Sequence, residues 1–307
     1  MREQIERLKS AQSGSVLPLV ALSMMVLMGL AALAVDVGRM YVERERLSAV
    51  ADVAALSAAP YLMTDPEAVP AVVREYMAKN GLDDLPATVM VDEAAREVSV
   101  KISNTIPMTF ARVIGHEWGT TVAGATATVA ALKGVHGAVP LGVAEADWQV
   151  GDPVVLKLSP NDGSVSPGNY QALSLGRNGA SMYEQNLMNG YQSWLRVGEW
   201  IETEPGSMAG PTVRAARYRI GLDPFATYET VTKGSPRLLQ VPVLQDFTVN
   251  GRGEVQIVGF AMFFLEQVEE TGPDKGEITG RFLRIVVEGE ADGSAPDFGL
   301  VATKLVQ

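Results

Sequence analysis

His116 and His136 are the only imidazoles in this 307-residue chain, and it has no cysteine. A histidine-centred metal site or triad must use one of the two, while disulfides, zinc–thiolate sites and cysteine nucleophiles are excluded. His116-Glu117-Trp118 opens like a zinc-hydrolase helix but lacks the second histidine four residues on, and Gly115 and Gly119 flank it, so a turn is the better reading. Asn161-Asp162-Gly163 begins like a calcium loop without the acids that should follow, which favours a tight turn. Gly251-Arg252-Gly253 lacks the third glycine of a dinucleotide fingerprint and reads as a hairpin turn. Neither a phosphate loop nor a Gly-x-Ser-x-Gly elbow is found, and no acid, base and nucleophile set emerges. The expectation is a protein that is not an enzyme, with no catalytic, cofactor or metal residues.

Two polar, glycine-bearing stretches, 168–176 and 203–212, are the more specific features of the second half. With Tyr183, Tyr191, Trp194 and Trp200 nearby, they could bind an extracellular protein or a glycan edge. The alternative is structural: the glycines supply turn geometry and the aromatics fill a β core.

The net charge is −11, and most of the surplus acid lies beyond residue 133, so a phosphate backbone would be repelled and nucleic acid is not an expected partner. A hydrophobic share of 47% supports real cores.

What must position any of these groups begins at the N-terminus. Residues 15–35 carry no charge, and at 1.5 Å per residue that helix spans roughly 30 Å, the hydrocarbon thickness of a bilayer. A cleaved signal would have an apolar centre of about 7–15 residues and a small-x-small site. Ala32-Leu33-Ala34 could serve as that site, but the run is long and helical pattern continues past it. The expectation is a retained single-pass anchor in the cell membrane with the C-terminal part extracytoplasmic, and cleavage after Ala34 is the alternative.

The pattern continues with Val37, Met40, Tyr41, Leu47, Val50, Ala54 and Ala58 at three- and four-residue steps, an amphipathic helix. Asp36, Arg39, Glu43 and Arg46 are expected on another face as neighbouring charge pairs. Asp52 has no basic neighbour on its helix face; it is either solvated or capping the next helix, or a specific intersubunit or interdomain contact. A second helix carries Val69, Val72, Val73, Tyr76 and Met77 and stops at Lys79-Asn80-Gly81. Strands are expected over 87–91, 97–103 and 119–132, with a short helix from Pro107 stopped by Gly115. Lys133-Gly134-Val135-His136-Gly137 reads as a linker, and the short runs after it as a β sandwich or barrel.

Three motifs carry a resemblance. Gly14-Ser15-Val16-Leu17-Pro18-Leu19 precedes Gly29-Leu30-Ala31-Ala32-Leu33-Ala34-Val35-Asp36-Val37-Gly38-Arg39-Met40-Tyr41, and Arg46-Leu47-Ser48-Ala49-Val50-Ala51-Asp52-Val53-Ala54-Ala55-Leu56 follows. Together they resemble the TadE/TadG-like proteins of the tight-adherence (Flp) pilus system, firmly over about the first 60 residues and loosely to about residue 132. The resemblance marks Asp36, Gly38, Arg39 and Asp52 as family-motif residues and Gly14-Ser15 as a prepilin-type processing bond. Leu19 stands where processed members carry Glu, which favours an uncleaved, TadG-like chain. It implies a pseudopilin-like or accessory assembly component whose partners are the membrane and other pilus-assembly or pilin-like subunits. A signal-anchored surface binding module unrelated to pili is the alternative.

The fold class expected is α+β: a cytoplasmic N-terminus (1–14), a transmembrane helix (15–35), a pilin-like helix-plus-small-sheet unit (36–132), a linker (133–139) and an exported β-rich domain (140–307).

Overall fold

The computed structural model describes residues 16–145, 148–157, 172–204, 208–245, 253–272, 275–287 and 289–306. The architecture is α+β, a long apolar N-terminal helix followed by a mostly β region. By contacts the chain divides into two compact units, one reaching to Ala127 and taking in the chain end from Leu305, the other spanning Thr128–Lys304.

In the first unit, α1 (Val16–Ala58) is unbroken from the apolar run into the amphipathic segment. It is long and apolar enough to cross a membrane, with a mean hydropathy of 2.4 in its most apolar stretch, none of which is buried by the protein. Its far end is buried through Leu47, Val50, Ala51, Ala54, Ala55 and Ala58. Alanine there lets neighbouring backbones approach closely, and Pro60 lies in the 3-10 turn Ala59–Met63 that ends the helix. Helix α2 (Val69–Lys79) turns Val69, Val72, Val73 and Met77 inward, with Pro70 in its first turn, where the missing N–H is harmless.

Strands β1 (Ala87–Asp92) and β2 (Glu97–Pro107) form an antiparallel hairpin in register Ala87↔Ile102 to Asp92↔Glu97. Val98, Val100 and Ile102 are fully buried and alternate with more exposed neighbours, the pattern of a half-buried strand. The chain then makes a 3-10 turn, Ala111–Ile114, closed by Gly115 at φ +95°, and returns as β3 (Trp118–His136).

The second unit holds β4 (Val143–Ala144), β5 (Pro153–Lys157), β6 (Leu173–Ser174), α3 (Ala180–Asn189), β7 (Trp194–Arg196), β8 (Trp200–Thr203), α4 (Ala209–Leu222), β9 (Leu238–Leu244), β10 (Glu254–Gly272), β11 (Lys275–Leu283), β12 (Ile285–Val286), β13 (Glu290–Ala291) and β14 (Leu300–Val306). One sheet runs β4-β9-β10-β11-β5, with β8 on β10 and β6 on β8. Helix α4 packs on β10 and β11. A Cβ on Gly276 would come within 2.9 Å of a Val213 methyl carbon, which shows how closely helix and sheet approach. Tyr183, Leu187, Ala215, Ala216, Phe263, Ile278 and Phe282 share the core, and Trp148 stacks on Phe282 at 4.0 Å between centroids. The later part of β3 pairs with β7 and β13, and β14 lies between β3 and β12.

Arg237 is buried in this unit, donating to the carbonyls of Leu265 (2.9 Å), Ala226 (2.8 Å) and Glu266 (2.9 Å) while lying over the Phe264 ring. Arg219 donates from Nη1 to the Pro236 carbonyl at 2.6 Å, and burial pushes its guanidinium down to about 10.

Several local expectations change. Lys133, Gly134, Val135 and His136 belong to β3 rather than to a linker, because β7 and β13 supply pairing partners there. Helices α3 and α4 interrupt a half of the chain expected as short β runs. Of the aromatics expected in the core, Tyr183 is buried, but Trp194 and Trp200 are 42% and 60% exposed.

Phe282→Ala is expected to lower stability by about 3–5 kcal/mol, because it opens a cavity under Trp148 and removes a ring against Phe263. Denaturant unfolding of the detergent-purified chain measures it.

Candidate functional site

The site is built where α1 leaves its apolar run. Asp36 is the first charged residue after that run, yet it is only 3% exposed. It begins the face of α1 that packs: Asp36, Met40, Glu43, Leu47, Val50, Ala54 and Ala58 recur at three- and four-residue steps and are buried or half-buried. Val37 and Tyr41, expected on the packed face, are instead 56% and 63% exposed.

A buried carboxylate is costly unless its oxygens are satisfied. Here the turn after β2 satisfies them. The Thr109 amide donates to Oδ1 at 2.8 Å, and the Phe110 and Ala111 amides donate to Oδ2 at 2.8 and 2.7 Å. These N–H groups lead into a 3-10 turn and have no partner within it, so an acid takes the place of a cap. The Ala111 amide first, then those of Thr109 and Phe110 and the nearby Arg39 charge, hold the Asp36 carboxyl below its ordinary value of 3.8, outweighing the opposing effect of burial.

The next charged residues extend the clamp along the helix. Arg39 donates to the Thr109 hydroxyl at 2.6 Å and to the Pro107 carbonyl at 3.3 Å. Glu43 Oε1 accepts from the Asn104 amide at 2.7 Å. Arg46 reaches the carbonyls of Asn80 (3.3 Å) and Gly81 (3.5 Å) at the end of α2, where a cation complements the exposed carbonyls. The expected charge pairing within α1 is therefore largely replaced by bonds to distant segments; only Glu43 and Arg46 approach each other, at 4.0 Å. Between these bonds, Met40 and Met108 close over Gly119, where a Cβ would lie 2.1 Å from the Met108 methyl carbon.

The other residues that the resemblance singles out behave differently. Gly38 is exposed, and a Cβ there, or on Gly29, would meet nothing within 4 Å. Asp52 is half-buried, and among the described residues no hydrogen bond or ion pair to it is seen. Gly14, Ser15, Asn161-Asp162-Gly163, residues 168–171 and 205–207, and Gly251-Arg252 lie outside the described residues. His116 sits exposed in the turn, and His136 Nε2 lies 3.0 Å from the Gln192 carbonyl oxygen. Among the described residues no three His, Asp or Glu side chains are grouped to hold a metal ion.

Asn104, Thr109 and the 109–111 amides are the partners of α1 that sequence reasoning missed. The available signal was Asp36 itself: an acid at the mouth of an apolar run, in phase with Leu47 and Ala54.

Residues 14–60 match the Tad family model, described as Flp pilus-assembly TadE/G-like. This segment is similar to that family and suggests involvement in Flp pilus assembly; it contains the apolar run, Asp36, Arg39, Glu43 and Arg46. Comparisons with curated proteins and with solved structures found no significant match.

Asp36→Asn is expected to lower the thermal midpoint by a few degrees at neutral pH. Because the native carboxyl lies below 3.8, its contribution is complete above that value and is lost as pH falls through the lower native one. The difference in midpoint between wild type and Asp36→Asn, measured across an acid series, should close only in that low window.

Proposed function

We propose that the chain is a membrane-anchored, non-catalytic component of Flp-type pilus assembly, closer to TadG than to TadE, with its C-terminal part outside the cytoplasm. The observation that carries this reading is the match over residues 14–60, which covers the apolar run, the Asp36-Val37-Gly38-Arg39 exit and the alanine-rich end of α1. In this reading α1 packs against copies of itself or other pilin-like subunits through small residues such as Gly29, Ala31 and Ala32. Open space at Gly29 and Gly38 supports such an approach. The Asp36 clamp then passes lateral forces on the membrane helix into the sheet. Residues 36–132 act as the pilin-like part and 140–307 as the displayed β-rich domain. The Gly14–Ser15 bond stays whole, in keeping with Leu19 at the fifth position after it.

A strain lacking the chain tests this directly. Surface Flp pili counted by electron microscopy should disappear and return with the wild-type chain. They should not return with Asp36→Ala present at wild-type membrane levels. Full piliation without the chain would overturn the proposal. A second reading, a surface module that holds a protein or glycan, draws on exposed Trp194 and Trp200; intact pili with lost surface binding would favour it.

A further inference from the structure

The contacts of the clamp descend α1 in order. Asn104 meets Glu43, Pro107 meets Arg39, and Thr109 to Ala111 meet Asp36. Strand β2 therefore runs back along α1 toward the apolar run. From Glu43 to Asp36 the helix moves about 10 Å closer to it, at 1.5 Å per residue. The turn Ala111–Ile114 begins at the residue whose amide bonds Asp36, so it lies level with the end of the uncharged segment. The return strand starts beside it, since the Met108 amide donates to the Glu117 carbonyl at 2.9 Å.

This tip carries large apolar side chains that the protein leaves uncovered: Val113 is 86% exposed, Trp118 63% and Phe110 44%. Exposed Arg112 stands among them; on α1, Val37 is exposed at the same level and Tyr41 about 7.5 Å farther along. Tryptophan and tyrosine with a basic side chain, next to an apolar span, is the composition favoured at a membrane–water interface. Isolated apolar residues on a soluble surface need no explanation, but a group held at this depth does.

We propose that the Phe110–Trp118 turn is a second membrane contact, seated in the lipid headgroup region of the leaflet on the C-terminal side of α1. This rests on the reading of α1 as a membrane anchor. Val113 and Phe110 enter the boundary between headgroups and acyl chains, Trp118 lies at headgroup level, and Arg112 faces the lipid phosphates. With two points of contact, α1 and the turn, the first unit is fixed in height and in rotation about the helix axis. The Asp36 clamp is the brace between them.

The absence of cysteine lets a single spin label be placed at will. Val113→Cys, Leu22→Cys and Met90→Cys, all at exposed positions, are labelled in the full chain reconstituted in phosphatidylcholine–phosphatidylglycerol vesicles. Collision with oxygen is compared with collision with a water-soluble nickel chelate. Met90 pairs with Ser99, at the end of the hairpin away from the turn, and is the aqueous reference; Leu22 is the bilayer reference. The expected result is an oxygen-to-nickel ratio at Val113 several-fold above that at Met90 and below that at Leu22. A Val113 ratio equal to that of Met90, with Leu22 deep in lipid, would overturn the second contact and leave the anchor standing. An aqueous ratio at Leu22 would overturn the anchor and this proposal together.

Discussion

Three consecutive main-chain N–H groups converging on the Asp36 carboxylate govern the geometry of the first unit. A charged group just past an apolar helix has to find strong partners or remain in water, because burying it alone is prohibitive. The turn after β2 offers N–H groups that lack partners of their own. Each side therefore satisfies the other, and neither can shift along the helix without leaving a buried acceptor or a donor unpaired.

Once that contact is set, the rest of the first unit follows with little freedom. Arg39, Glu43 and Arg46 lie three or four residues apart and meet successive points on β2 and the end of α2. Above them the packed face changes from polar to alanine-rich, and Ala51, Ala54, Ala55 and Ala58 lose all exposure. The face thus makes directional bonds near the end of the apolar run and close apolar packing farther away.

Much of this architecture was legible in the sequence because it arises from local pattern. The apolar run, the continuation of α1, the buried positions of α2 and the β1–β2 hairpin all come from periodicity and stop signals that a single chain displays. The clamp was not legible in the same way. Its acid and its donors are more than 70 residues apart, and main-chain donors carry no side-chain signature. Asp36 and Glu43 also looked like surface charges because periodicity ranks residues by polarity, whereas burial here follows hydrogen bonding. Helix α4 was hidden by Gly210 and Pro211, which read as loop residues although proline is well tolerated in a first helical turn. The extension of β3 was hidden by Gly134, whose missing side chain leaves room for Arg196 and Glu290.

The most direct test of the clamp is amide hydrogen exchange at Thr109, Phe110 and Ala111 in the bilayer-reconstituted chain, with and without Asp36→Ala. The expected result is slow exchange in the wild type and a large loss of protection at these three amides in the variant, with Val98, Val100 and Ile102 in β2 still protected. Equal protection of the three amides in both chains would contradict the claim that Asp36 holds the turn against α1.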